Sequence, residues 1–465
     1  MPEPSPDRPR PRADLLITDA LEVVTCVPAG GDLLGRRRGV WVAVSGERIL
    51  AIAPPAQVSQ QFETGGARVL SVAGRIVAPG FVDSHTHLVF GGSRSREYAA
   101  RMTHPSEDLA ALAIPVGILA TVEMTRAEDE STLLASARRR LGHMLRHGTT
   151  TVESKSGYGL SLAHELKLLE VNRGLAACQP VDIVSTFLGA HAFPRDVPRH
   201  KYLEILVEEM IPRVGADGLA VFCDVYCDEG YYSVEESRRV LTAGLQAGLR
   251  PKIHVDAYAA LGGAEMAAEL GVVSADHLNY THPRAMARLA QAGATGVGMP
   301  ALDFAVAHPR PFPARAMLEA GLPLALATDL CPACWLESMP FVLQLACRLY
   351  QLSPEEALLA ATAGGARALG LLDDRGTLEA GKLADLQVWD VPSVDDVIYR
   401  LGSNPVEAVV RRGRVIGSGE SGWQTCGRES FPPRRDEASR GGSTRDRGSV
   451  LTASMVKGAR HAWCT

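Results

Sequence analysis

The stretch Ala78-Pro79-Gly80-Phe81-Val82-Asp83-Ser84-His85-Thr86-His87 decides the architecture. It ends an apolar run, Arg75 to Val82, and then presents two imidazoles one residue apart. Alternate residues of an extended chain share a face, so both rings can point the same way off the end of a strand. Taken alone, the pair fits two solvated loop histidines as well as it fits a metal site. Repetition of the arrangement downstream favours the metal site.

Seven further β-type runs follow: Thr149 to Glu153, Asp182 to Leu188, Ala220 to Val225, Lys252 to Val255, Val272 to Ala275, Thr295 to Met299, and Leu322 to Ala327. Helical patterns alternate with them, as in Ser131 to Arg146, Ala163 to Leu175, Val234 to Ala247, Ala260 to Leu270 and Arg284 to Ala292. Eight strands, most of them followed by a helix, predict a (β/α)8 TIM-type barrel rather than a doubly wound sheet. No Gly-x-Gly-x-x-Gly turn or phosphate loop interrupts the pattern. Helices near Glu337 to Leu349 and Pro354 to Ala368 close the barrel domain, which spans 75–372.

On either side lie short apolar runs separated by turns. Leu15 to Ile17, Val23-Val24, Trp41 to Val44 and Ile49 to Ile52 precede the barrel. Gly376 to Leu378, Ala384 to Trp389, Ala408 to Val410 and Arg414 to Ile416 follow it. Their like character predicts one small β-sandwich built from both chain ends, 14–74 and 373–418. The Pro- and Arg-rich residues 1–13 and the Gly-, Pro- and Arg-rich tail 419–465 read as disordered.

Composition removes several function classes. Among 465 residues, 46% are hydrophobic and 22% charged, which suits a chain with a large core. A net charge of −5 leaves no basic footprint for nucleic acid. No run reaches the roughly 18 apolar residues of a membrane span. Met1 to Arg12 lacks the apolar centre of a signal peptide, and nine scattered cysteines do not form a secreted framework. A reduced, cytoplasmic enzyme acting on a small molecule is expected.

The predicted strand ends carry the chemistry. His85 and His87 end the first run, His191 the third, His254 the fifth, His277 the sixth and Asp329 the eighth. That edge is where barrel active sites lie. A catalytic metal takes three or four protein groups and keeps a place for water, and His85, His87, His254 and Asp329 supply that number. Such an ion brings the pKa of the water it holds to near neutrality. Asp329 can both hold the metal and move a proton, and His277 can orient the attacking group or steady an oxyanion. The fourth run is followed by Cys227-Asp228-Glu229 without a lysine, so a carboxylated lysine bridging two ions is not expected there, and one metal is.

This constellation resembles the amidohydrolase superfamily, with Ala78 to His87 matching its opening. Within it, His85-Thr86-His87-Leu88-Val89-Phe90-Gly91-Gly92-Ser93-Arg94 resembles the imidazolonepropionase family, ring-opening hydrolases of histidine degradation. So do Lys155 to Leu160, Thr186 to His191, Ser274 to Leu278 and Tyr399 to Pro405, in order, over roughly residues 15–418. The resemblance implies hydrolysis of 4-imidazolone-5-propanoate to N-formimidoyl-L-glutamate on one Zn2+ or Fe3+. It implies His85, His87, His254 and Asp329 as ligands, Arg94, Tyr158 and His191 as substrate contacts, and a homodimer. The planar fork of Arg94 suits a propanoate.

The chain also departs from the family pattern. After the metal histidine the common form reads His-Ala-Glu-Gln, whereas here it is His254-Val255-Asp256-Ala257. After the strand-eight Asp the common Asn-Pro-Gly-Thr/Ser is replaced by Cys331-Pro332-Ala333-Cys334 beyond Leu330. Either the same substrate is read differently or the substrate is another cyclic amide or amidine; retention of Arg94, Tyr158 and His191 favours the first. The two cysteines have no second pair with zinc spacing, so they read as buried or pocket-lining thiols. A catalytically dead binding protein would have lost a ligand, and none is missing.

Overall fold

Gly80 divides the first apolar run in two. In the computed structural model, which describes residues 10–103 and 114–418, Ile76–Pro79 is a strand of the sandwich and Phe81–Asp83 is the first strand of the barrel. The reading of Arg75 to Val82 as one barrel strand is thereby corrected. One strand cannot serve both sheets, because the chain must change direction between them. Gly80 meets Thr150 so closely that a Cβ would lie 2.4 Å from its side chain.

Eight parallel strands then follow in chain order around the barrel: Phe81–Asp83, Thr149–Lys155, Asp182–Ala190, Phe222–Cys227, Arg250–Val255, Ser274–His277, Thr295–Gly298 and Leu324–Leu326. The first and last meet just beyond their ends. Asp329 N–H donates to His85 O at 3.1 Å, and His87 N–H donates to Leu330 O at 2.9 Å. Asp83 joins them from below, accepting from Thr328 N–H and its hydroxyl at 3.1 and 2.6 Å. Barrel closure thus lies directly under the two histidines.

Helices cover the strands through local signals. Asp129 caps Glu130–Arg146, and Ser233 with Glu236 forms a capping box on Val234–Gln246. The last helical segment of the barrel, Pro354–Leu359 continuing through a wide turn at Ala360–Gly364 into Gly365–Ala368, presses on strands eight and one. Cβ atoms at Gly364 and Gly365 would sit 2.1 Å from Leu324 O and Val82 O. Backbone oxygens cannot swing aside, so Gly365→Ala is expected to lower stability by about 1–3 kcal/mol. An unchanged urea midpoint would sink that packing account.

Both chain ends build the sandwich, as predicted. One sheet runs Arg48–Ala53, Trp41–Ser45, Leu15–Thr18, Arg68–Ser71; the other runs Arg414–Ser418, Val406–Arg411, Leu386–Trp389, Ile76–Pro79, Glu22–Val24, Arg36–Arg37. Leu15, Ile17, Val42, Val44, Ile49, Val77, Leu386, Val388 and Val410 fill the space between them. Trp389 stacks on Phe81 at 6.1 Å and joins this domain to the barrel. Gly376 to Leu378 is not a strand, and a helix, Val394–Tyr399, lies within the second segment. The predicted disorder at 1–13 fails at its inner end, where Ala13 is buried and Arg12 pairs with Glu63. Residues 1–9 and 419–465 lie outside the described residues. Among the described residues no helix is long and apolar enough to cross a membrane.

Candidate active site and metal centre

At the C-terminal mouth of the barrel the strand-end residues converge. The ring centroids of His85 and His87 are 5.5 Å apart, and His254 lies 4.5 Å from His85. One nitrogen from each of these three falls within 4.8 Å of the others, and His85, His277 and Asp329 form a second such group. Asp329 Oδ1 stands 3.7 Å from the Nε2 atoms of both His85 and His87.

The unpartnered atoms show what the cluster is built to hold. His85 Nε2, His254 Nε2 and Asp329 Oδ1 are buried without a hydrogen bond to any described residue. Buried polar atoms are normally paired, and leaving one bare costs about 1–3 kcal/mol. The opposite edges of the rings are taken: His85 Nδ1 lies 2.6 Å from Asp276 Oδ2, and His254 Nδ1 lies 3.1 Å from Asp224. A carboxylate on one nitrogen fixes the tautomer and turns the lone pair of the other inward. Burial holds His85, His87 and His254 well below the usual imidazole range, so they are neutral donors. The residues present therefore fit a metal ion.

Beneath the histidines lies a layer of buried charge that sequence reading did not single out. Lys155 Nζ contacts Asp224 at 2.7 Å, Glu153 at 3.0 Å and Asp276 at 3.4 Å. Lys252 Nζ reaches Glu153 at 2.7 Å and Ser84 O at 3.1 Å. Two lysines face three carboxylates, leaving one negative charge in excess, and Asp329 adds another. A multivalent cation would balance that surplus. Each member lies two residues before or after another inward-facing polar residue, as in Glu153/Lys155, Lys252/His254 and Ser274/Asp276. A charge at that spacing inside an apolar strand is the signal that could have found them.

Burial also pushes the Asp329 carboxyl up to about 7, against the pull of Lys155. With the metal removed, Asp329 is protonated at pH 5 and ionised at pH 8. The metal-free fold keeps the benefit of that proton below the unfolded value near 4 and loses it as pH rises through 7. Chelation is thus expected to lower the thermal midpoint more at pH 8 than at pH 5, with metal affinity falling about tenfold per unit below pH 7. Equal shifts at the two pH values would contradict this.

Around the cluster stand Tyr158 and His191. His191 stacks on His87 at 4.8 Å and an interplanar angle of 11°, and Tyr158 lies 5.3 Å from His191. His191 Nδ1 donates to Gly157 O at 3.2 Å, and burial lowers its pKa to about 4. Gly157 has φ 109°, and a Cβ there would fall 2.9 Å from His191 Nδ1. Glu165, also missed from sequence, accepts the N–H groups of Gly157, Gly159 and Leu160 at 2.7–2.9 Å and pins the tyrosine loop. His277 lies 5.2 Å from His254, and burial lowers its pKa to about 4.

Arg94 is placed differently from the rest. Its guanidinium makes a two-pronged pair with Glu97, at 2.6 and 2.9 Å, while Gly117 N–H and Arg101 also bind that carboxylate. One edge of the fork is therefore already used, and its charge acts on Tyr158 and Cys331 from the rim. Cys331 and Cys334 close a tight turn through reciprocal N–H to O bonds of 3.0 and 3.1 Å. Both thiols are buried, and burial raises their pKa values, so they are inert at neutral pH. Ala257 is buried, and its carbonyl lies 3.0 Å from His308 Nε2.

Comparisons with known proteins follow the same lines. The model of the amidohydrolase family matches residues 107–416. The chain is 41% identical over 418 residues to an imidazolonepropionase of Shouchella clausii, covering 87% of this chain and 93% of that one. It is 43% identical over 416 residues to the imidazolonepropionase of Symbiobacterium thermophilum, covering 87% and 97%. Among solved structures, an adenosine deaminase of Xanthomonas campestris with bound zinc superposes at a TM-score of 0.64 and 24% identity, over 88% of this chain and 94% of that one. A triazine hydrolase variant superposes at 0.66 and 18% identity, over 88% and 95%. These two likenesses concern the fold.

Proposed function

The chain belongs to the amidohydrolase family and, within it, to the imidazolonepropionases, and from that premise we propose that it hydrolyses 4-imidazolone-5-propanoate to N-formimidoyl-L-glutamate. The observation carrying the reading is the convergence of buried, unpartnered His85 Nε2, His254 Nε2 and Asp329 Oδ1 at the barrel mouth. His85, His87, His254 and Asp329 would hold one Zn2+ or Fe3+, since imidazole and carboxylate suit either. Such an ion supplies a nucleophile from water at neutral pH and polarises a carbonyl.

The protein groups do the rest. Asp329 accepts a proton from the attacking water and passes it to the ring nitrogen as the carbonyl carbon–nitrogen bond breaks. The carbonyl carbon becomes the new carboxylate of the product. His277, neutral above its pKa of about 4, can donate an N–H to the oxygen that gains charge on attack. Tyr158 and His191 wall the substrate ring. The free edge of Arg94 takes the propanoate, its other edge being anchored by Glu97. Arg94→Ala is expected to raise KM about 10- to 100-fold with a smaller change in kcat.

Turnover of freshly prepared substrate, followed by loss of ring absorbance with metal assayed on the same sample, tests the assignment. A fully metallated protein without turnover would overturn it. The reading extends to a homodimer and to the cytoplasm, the compartment alone being supported by the free thiols among the described residues. Sedimentation as a monomer at micromolar concentration would remove the dimer.

A further inference from the structure

Among the described residues five tyrosines are buried: Tyr158, Tyr202, Tyr226, Tyr232 and Tyr350. Three of them have their hydroxyls paired. Tyr202 donates to Gly189 O at 2.8 Å, Tyr232 to Ala192 O at 3.2 Å and Tyr350 to Asp303 at 2.6 Å. A buried phenol normally finds such a partner. The hydroxyls of Tyr158 and Tyr226 bond to no other described residue and, unlike the sealed atoms of the histidine cluster, stay open to the cavity, and both rings lie against that cluster.

Tyr226 stands one residue before the end of the fourth barrel strand and sits in register with His254 on the fifth. Neighbours in register on parallel strands face the same way, and Asp224, two residues earlier, already contacts His254 from inside the barrel. Tyr226 therefore points into the mouth, one layer above the buried charges. Its ring lies 5.6 Å from His254 and 6.2 Å from both His191 and His277. On its far side Tyr231 stacks at 4.0 Å and 25°, which fixes the ring plane.

This position answers the loss noted at Ala257. A planar heterocycle buried among these rings must have its polar edge hydrogen-bonded, and Ala257 offers only a methyl group. The adjacent strand offers a phenol whose hydroxyl is unused. We propose that Tyr226 is a substrate-contacting residue that sets specificity: its ring is the platform against which the planar substrate ring packs, and its hydroxyl bonds the polar edge of that ring. This rests on the reading of the site as one for a small planar cyclic amide.

Two variants, Tyr226→Phe and Tyr226→Leu, test it by steady-state kinetics with 4-imidazolone-5-propanoate. Calorimetric titration with hydantoin, a planar five-membered ring of similar polarity, provides a readout independent of turnover. Tyr226→Phe is expected to raise KM and the hydantoin Kd about 5- to 10-fold, the effect of one lost hydrogen bond. Tyr226→Leu is expected to raise both about 30-fold or more, with metal content at the wild-type level. Wild-type values within twofold in both variants overturn the proposal. Should Tyr226→Leu fail to fold or load metal, Tyr226→Phe alone decides. A wild type that binds hydantoin without turning over 4-imidazolone-5-propanoate removes the substrate assignment, and the two Kd ratios then decide the role of Tyr226. A wild type that does neither overturns both.

Discussion

Asp329→Asn is expected to lower kcat at least about a thousandfold while leaving the fold intact. An amide of the same shape keeps the side chain in place but can neither take a proton from water nor deliver one to the leaving nitrogen. It also removes one of the two negative charges left unbalanced by Lys155 and Lys252, so metal affinity should fall as well. Assaying kcat at saturating metal separates the two effects. Activity within tenfold of wild type at full metal occupancy would remove Asp329 from the proton path. The backbone supports the assignment: Asp329 has φ 47° and His277 has φ 80°. Left-handed conformations at residues other than glycine cost of order 1–3 kcal/mol and persist where surrounding structure enforces them. At Asp329 the barrel closure does so, through the bond from its N–H to His85 O.

Lys155→Met is expected to be the most damaging change to the fold, at about 3–5 kcal/mol. It strands Asp224, Glu153 and Asp276, all fully buried, with Lys252 as the remaining cation of the layer. Asp224 and Asp276 orient His254 and His85, so metal should be lost along with stability. Urea unfolding at saturating metal gives the first quantity, and metal content after gel filtration gives the second. Burial pushes the Asp276 carboxyl up, but Lys252, Lys155, His254 and the Ser274 hydroxyl together hold it below the usual carboxylate range. Removing one lysine should let that carboxyl bind a proton, which weakens its grip on His85. A loss below about 1 kcal/mol would show that the layer is dispensable.

Hydrophobic periodicity and turn chemistry act within a few residues, and so the barrel, the sandwich from both chain ends and the strand-end positions of His85, His87, His191, His254, His277 and Asp329 were legible in the chain alone. What reading along the chain misjudged were places where one local pattern serves two partners. Arg75 to Val82 reads as a single strand because nothing local marks Gly80 as a border between sheets. The pairing of Arg94 with Glu97 goes unread because Glu97 looks like an ordinary helical acid until the helix fold brings the two together. Glu165 shows itself only where three N–H groups of the Tyr158 loop close around it. Tyr226 gains meaning from its register with His254, a pairing between residues 28 positions apart. The charged layer is the clearest case, since Lys155, Asp224, Lys252 and Asp276 come from four strands and each would be unstable as a lone buried ion. Sequence determined which residues reach the barrel mouth, because side-chain direction alternates along each strand. Tertiary structure alone decided which charges neutralise one another there, because Coulomb pairing depends on distances that exist only once the strands are side by side.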